Sequence, residues 1–168
     1  ETMPSPYRTE TQLRGYLSDA GRVPFFCSGC PHNTSTRVPE GSEAIAGVGC
    51  HFMATYIFSG TKVFSPMGSE GAAWVGRAPF TDTPHLFANM GDGTYYHSGY
   101  LAIRQAVAAK TTITYKILYN DAVAMTGGQP IDGFVSVDAI ARQVESEGVR
   151  QVVVLSDAIG KYAAIKSK

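Results

Sequence analysis

His85-Leu86-Phe87-Ala88-Asn89-Met90-Gly91-Asp92-Gly93-Thr94, then Tyr100 to Ala109, then Thr112-Ile113-Thr114-Tyr115-Lys116-Ile117-Leu118-Tyr119-Asn120-Asp121 is the stretch on which the fold turns. Its first part is a short apolar run that stops at glycine, the pattern of a buried strand opening into a loop. Tyr100 to Ala109 carries Leu101, Ile103, Ala106 and Val107 among good helix formers, which predicts a helix. Residues 112–119 are β-branched and aromatic and predict a second strand. Strand, helix and strand at this length make a right-handed parallel crossover. The sheet here is expected to be parallel.

On either side the same grammar continues. Ala44-Ile45-Ala46-Gly47-Val48-Gly49 reads as another strand that ends in a glycine loop. Val137 to Glu147 places Ile140 and Val144 at helical spacing, and Gln151 to Leu155 reads as a further strand with a continuous Val-Val-Val core. The class is α/β, in three layers, with a mainly parallel sheet flanked by helices. Arg22 to Gly49 is rich in Pro, Gly, Ser and Thr and is punctuated by Pro24, Pro31 and Pro39, which predicts loop with one short helix after Pro31. Leu13, Tyr16 and Leu17 sit among polar residues in a weakly amphipathic connector helix within residues 1–21, leaving 22–168 as the domain proper. Gly160 to Lys168 shows no obvious partner element, and no internal repeat is present.

The composition narrows the function. In 168 residues, Lys plus Arg and Asp plus Glu stand at 14 each, so no net field draws the chain to nucleic acid or to an anionic membrane. An anion must be held locally. No apolar run reaches the roughly 18 residues that span a bilayer, and no basic-then-apolar leader is visible, so the cytoplasm is the expected compartment. Three cysteines are too few for a disulfide framework, and Cys27-Ser28-Gly29-Cys30 points instead to metal or redox chemistry. The chain starts with Glu1, and it is expected to be part of a longer enzyme.

Ligands of open parallel sheets bind beyond the carboxyl ends of strands, where both Gly91-Asp92-Gly93-Thr94 and Asn120-Asp121 lie. Gly91 and Gly93 let the backbone approach a phosphate, while Asp92 and Asn120 offer hard oxygens to a small cation. Magnesium takes about six oxygens, usually one or two from protein carboxyl groups and the rest from phosphate and water. A diphosphate cofactor fills that gap. The helix starting near Ser98 or Gly99 is expected to add its N-terminal dipole. A lone Gly-Asp-Gly is a common turn, and the Asn at the end of the next strand is what argues for a site.

This pairing resembles the thiamine-diphosphate signature, Gly-Asp-Gly followed one helix and one strand later by Asn. Asn89 to Gly99 and Ile113 to Pro130, with Cys27-Ser28-Gly29-Cys30-Pro31-His32, Gly47-Val48-Gly49-Cys50-His51 and Met67-Gly68-Ser69-Glu70-Gly71-Ala72-Ala73-Trp74, resemble in order the fused bacterial indolepyruvate:ferredoxin oxidoreductases. The likeness runs from about Arg22 to Tyr162, with Ser28 where the family usually has Pro and Ser69 where it has Gly. It implies a thiamine-diphosphate-binding fold with Mg²⁺ held by Asp92, Asn120 and the Ala122 carbonyl. Gly49, Cys50, Gly68, Glu70, Gly91, Asp92, Gly93, Thr94, Asn120, Ala122, Val123, Met125 and Thr126 would surround the cofactor. The implied reaction is oxidative decarboxylation of an aryl 2-oxo acid such as indolepyruvate to an arylacetyl-coenzyme A, with ferredoxin as electron acceptor. The working enzyme would be a homo-oligomer that adds a pyrimidine-binding domain or subunit, without which this chain is not expected to turn over.

The resemblance also implies that Cys27, Cys30 and Cys50 are three ligands of a [4Fe–4S] cluster, which ordinarily takes four thiolates. Structural zinc on the same cysteines with a histidine is the competing reading. His51 and His97 are candidate catalytic groups, able to relay a proton or hold a substrate carboxylate, whereas His85 reads as a structural residue of its strand. Glu70 and Trp74 border the cofactor, or Glu70 makes a surface salt bridge. Tyr95 and Tyr96 read as packing. Two alternatives remain open: a pyruvate or 2-oxoglutarate:ferredoxin oxidoreductase, and a non-catalytic zinc-binding interaction module.

Overall fold

The computed structural model describes residues 24–133 and 135–162. The connector helix expected within residues 1–21 lies outside them. Four strands, β1 (Glu43–Ala46), β2 (Thr61–Phe64), β3 (Leu86–Gly91) and β4 (Ile113–Leu118), form one sheet in the order β2-β1-β3-β4. Every neighbouring pair is parallel, as the crossover reading requires. β3 has a partner on each side and runs in register with β4 from Leu86↔Ile113 to Gly91↔Leu118, which is why four of its six residues are buried and none is exposed.

Alternate residues separate the two faces of the sheet. On one face Ile45, Leu86 and Ala88 pack with Trp74 of α3 (Ala72–Arg77). Met90 packs there with Ile103 of α4 (Tyr100–Ala108) and with Ile140 and Val144 of α5 (Val137–Ser146). Each such side chain contributes about 1.5–3 kcal/mol on burial. The Trp74 indole donates to the Thr112 carbonyl at 3.0 Å, so its one polar atom is satisfied inside the core. On the other face the Lys116 ammonium lies over the Phe87 ring and donates to the carbonyls of Ser35 and Arg37. That contact pins α1 (His32–Ser35), the short helix expected after Pro31. α2 (Ala54–Ile57) leads into β2, an element too short and too exposed to stand out in the sequence. Ser136 caps α5 by accepting from the Ala139 amide at 3.1 Å.

Two expectations need correction. The helix does not begin at Ser98 or Gly99: helical backbone starts at Asp92, runs as a π-turn from Tyr95 to Gly99 and continues as α4. The positive end of the helical run therefore faces the Gly-Asp-Gly loop directly. Gly99 permits the π-turn to sit on the sheet, because a Cβ there would stand 2.5 Å from the Met90 sulfur and 3.1 Å from the Thr94 carbonyl oxygen. Residues 151–155 pair with no strand among the described residues. Val152 packs on the Met90 cluster while Val153 and Leu155 are exposed; strand propensity supplied an extended shape without the hydrogen-bonded neighbour that makes a strand.

Candidate functional site

β1 leads to β2 on one side of the sheet, and β3 leads to β4 on the other, so the strand order reverses between β1 and β3. A crevice at the carboxyl ends of these two strands is where open parallel sheets bind ligands. Gly47-Val48-Gly49-Cys50-His51 leaves β1 at this point, and Gly91-Asp92-Gly93 leaves β3.

Asp92 is buried and joins the two halves foreseen in the sequence. Its Oδ1 accepts from the Gly93 amide at 2.9 Å, and its Oδ2 accepts from the amides of Asn120 at 2.9 Å and Asp121 at 2.6 Å. Asp121 adopts the left-handed region, φ 56°, which short polar side chains tolerate and which turns both amides back toward the carboxylate. Asn120 is exposed, and its Oδ1 accepts from the Ala122 amide at 3.1 Å. Past it the chain doubles back: Val123 and Gln129 exchange a backbone bridge, and the Thr126 hydroxyl accepts from Gln129 Nε2 at 2.9 Å. Met125 is exposed beside it. A small, internally hydrogen-bonded loop thus follows Asn120, tied to the Gly-Asp-Gly turn through the Asp92 carboxylate.

The other wall is built from glycine, histidine and glutamate. His51 is buried, its Nε2 without a hydrogen-bond partner, and burial together with the nearby His32 holds its imidazole down to about 4. Its ring fits against residues that lack side chains: a Cβ on Gly49 would lie 2.8 Å from its Cε1, and one on Gly91 3.8 Å. Glu70 is fully buried, so it makes no surface salt bridge, contrary to the alternative entertained for it. Its Oε2 accepts from the Gly68 amide at 2.8 Å, its Oε1 has no partner, and burial pushes its carboxyl up. Buried polar atoms of this kind are rare and call for a water, an ion or a ligand. Asn89, with Oδ1 unpartnered and Nδ2 donating to the Ile45 carbonyl at 3.2 Å, adds a third such atom beneath the crevice. Asn89 and Gly47 are not among the site residues read from the sequence; an amide inside an apolar strand two residues before Gly91 was the available signal.

His97 sits exposed on the π-turn, with its Nδ1 2.7 Å from the Ser98 hydroxyl, and is not part of the buried wall. Tyr95 is buried and donates to Gln143 at 2.8 Å, as packing predicts, while Tyr96 is exposed. Thr94 is buried in the helical turn beside Asp92. Cys27 is exposed, Cys30 and Cys50 are half-buried, and all three thiols are free. Burial, with Cys30 and Cys27 nearby, pushes the Cys50 thiol up. Asn33 donates to the carbonyls of Cys27 and Cys30 at 3.3 and 3.1 Å and closes the loop between them. Among the described residues no three His, Cys, Asp or Glu side chains converge as a metal-holding group.

The sequence profile described as thiamine pyrophosphate enzyme, C-terminal TPP binding domain, matches residues 47–160, the span that holds both walls of the crevice. This chain belongs to that thiamine pyrophosphate enzyme family. Within the family it is similar to proteins named indolepyruvate oxidoreductase subunit IorA. The protein from Methanothermobacter thermautotrophicus is 27% identical over 144 residues, covering 79% of this chain and 23% of its own length. That from Archaeoglobus fulgidus is 30% identical over 120 residues, 67% of this chain and 19% of its own. That from Thermococcus kodakarensis is 26% identical over 131 residues, 67% and 20% respectively. The chain thus spans less than a quarter of the length of these relatives. No solved structure matches it. The α/β fold with a parallel sheet is that of a thiamine pyrophosphate-binding domain. Among the described residues no helix is long and apolar enough to cross a membrane.

Proposed function

We propose that this chain anchors thiamine diphosphate, through Mg²⁺, in an oxidoreductase that oxidatively decarboxylates aryl 2-oxo acids, indolepyruvate among them, to arylacetyl-coenzyme A with ferredoxin as electron acceptor. The observation that carries the reading is the Asp92 carboxylate, clasped by backbone amides from both loops that end β3 and β4. The donor set fits the cation: Asp92 and Asn120 supply side-chain oxygens and Ala122 a carbonyl, all hard ligands of the kind Mg²⁺ takes together with phosphate and water. The unpartnered polar atoms of His51, Glu70 and Asn89 fit a polar guest in the same crevice.

When bound, the cofactor supplies the electron sink for loss of CO₂, chemistry that belongs to it rather than to the protein. The chain's own contribution is position. Gly91 and Gly93 let the backbone come close to a diphosphate, the start of the helical run at Asp92 presents its positive end there, and Gly49, Gly68, Val123, Met125 and Thr126 line the approach. Cys27, Cys30 and Cys50 would contribute thiolates to a [4Fe–4S] cluster that carries electrons away, with a further ligand from elsewhere. The name of the relatives, a subunit, supports partner subunits; the pyrimidine ring would be held by a further domain or subunit.

Titration calorimetry of anaerobically purified protein with thiamine diphosphate, with and without Mg²⁺, tests the anchor. Binding that requires Mg²⁺ is the expected result. No binding to the full-length protein that contains this chain would reject the assignment of Asp92 and Asn120. A rate with pyruvate above that with indolepyruvate would reject the aryl substrate.

A further inference from the structure

From Ala124 to Gly133 every residue is exposed except Ile131, which keeps only 8% of its surface. Its Cγ2 seats on Gly93, where a Cβ would stand 3.2 Å from it. Two residues on, Gly133 sits under the ring of Tyr96: a Cβ there would meet the phenol oxygen at 2.0 Å, and its φ of 91° lies in the left-handed region that glycine adopts without steric cost. Gly93 and Tyr96 are three apart in the helical backbone that starts at Asp92, so they lie on one side of it. Residues 131–133 therefore pack along the first turn of that helical run.

The same turn holds the other end of the loop, since the Asp92 carboxylate takes the amides of Asn120 and Asp121. Between these two moorings the hairpin 123–129 is, among the described residues, hydrogen-bonded only to itself. The Val123 amide donates to the Gln129 carbonyl at 2.8 Å, the Gly128 amide to the Val123 carbonyl at 3.0 Å, and Gln129 Nε2 to the Thr126 hydroxyl at 2.9 Å. A unit bonded in this way keeps its shape, and its pose is set by what holds its two ends. The first mooring is a pair of charge-assisted hydrogen bonds. The second is one apolar side chain with exposed residues on both sides.

We propose that Ile131 is a positioning residue: seated on Gly93, it anchors the 123–129 hairpin to the start of the helical run, so that Val123, Met125 and Thr126 meet a cofactor already placed. Isoleucine suits the position because its branched β-carbon is stiff, which carries the methyl that meets Gly93 at a fixed distance from the backbone. Release of this one side chain would leave the loop tied at Asn120 and Asp121 alone, free to turn about them. Gly93 then serves twice, as a bare stretch of backbone in the Gly-Asp-Gly turn and as the seat of the anchor. The consequence for a bound cofactor rests on the function proposed above; the anchoring itself does not.

Hydrogen exchange read by mass spectrometry on the full-length protein that contains this chain, without ligand, tests the anchor. In wild type, peptides within residues 122–133 should exchange more slowly than the same peptides free in solution. Ile131→Ala should speed them by about tenfold or more, while peptides from β3 and β4 keep their wild-type rates. Ile131→Val retains the Cγ2 methyl and should stay within about threefold of wild type. Equal rates in wild type and Ile131→Ala overturn the proposal, and so does an acceleration that spreads to β3 and β4, which would make Ile131 a general core residue. Thiamine diphosphate with Mg²⁺ is then titrated into the same proteins by calorimetry. Ile131→Ala should bind about threefold or more weakly as its closed fraction falls, and Ile131→Val like wild type; equal affinity in all of them refutes the positioning role even where the exchange rates agree with it. If wild type itself binds nothing, the function proposed above fails and the exchange rates alone decide on Ile131.

Discussion

Asp92→Ala removes the acceptor for three backbone amides at once, those of Gly93, Asn120 and Asp121. A hydrogen bond to a charged acceptor contributes about 1.5–3 kcal/mol net. Asn120 and Asp121 are exposed, so water replaces most of what their amides lose, and the two together add about 1 kcal/mol to the full loss at Gly93. A total near 3 kcal/mol follows, which for a chain of this size lowers Tm by about 6–12 °C. Asp92→Asn should be almost as damaging, because one amide oxygen cannot serve both sets of donors and the NH₂ would face another N–H. Thermal unfolding followed by circular dichroism, with hydrogen exchange at Asn120 and Asp121, checks this. Both variants should also lose Mg²⁺-dependent binding of thiamine diphosphate. An Asp92→Ala protein within about 2 °C of wild type by the same scale, with the two amides still protected, would refute the view that this carboxylate braces the loop that follows β4.

Acid should unfold the protein early. His51 is held to about 4 in the folded state against an ordinary 6.5, so its contribution is fully present above about 6.5 and is lost as pH falls from there toward 4, on the order of 3 kcal/mol. Denaturant midpoints measured across that window should fall steeply, and a flat profile would contradict the buried neutral imidazole. Glu70, raised by burial, acts with the opposite sign: its contribution is lost as pH rises through its folded value. Gly47→Ala should destabilise by about 1–3 kcal/mol through overpacking, since the new methyl meets Glu70 and His51, and Glu70→Ala in the same chain should recover part of the loss. Lys116→Met should leave the sheet amides protected while exchange at Thr36 and Arg37 accelerates, because its ammonium holds the carbonyls of Ser35 and Arg37. Trp74 is the sole tryptophan and is buried, so native fluorescence should be blue-shifted and report directly on loss of the α3 face.

The parts of the fold legible in the sequence were those whose pattern is long and unbroken: β3, α4, β4 and α5 each carry several apolar residues at one period. Asp92 and Asn120 were legible as a pair because strand ends in a parallel sheet share one edge. β2 was not, since its four residues alternate with exposed Lys62 and Phe64. The Val-Val-Val run misled because a side-chain pattern states a preference for extended backbone and says nothing about whether a neighbouring ladder is present. The meeting of Glu70 with His51 is a tertiary fact between distant positions, and only Gly47, Gly49 and Gly91 hinted that something bulky needed their empty side-chain space.

The π-turn at Tyr95–Gly99 has a consequence for how this segment tolerates change. A π-turn is one residue longer than the α-turn it replaces, and each residue in a helix advances the chain by about 100°. Deleting one residue there would therefore restore regular winding and leave the apolar stripe of Ala102, Ile103 and Ala106 facing the sheet with Asp92 in place, whereas a second deletion, in the regular helix that results, would swing that stripe about a quarter-turn away. The segment therefore has one residue to spare and no more. Substitution at exposed Tyr96 and His97 costs the fold little by comparison, whereas loss of two residues between Asp92 and Tyr100 would uncouple the Gly-Asp-Gly loop from the core that steadies it.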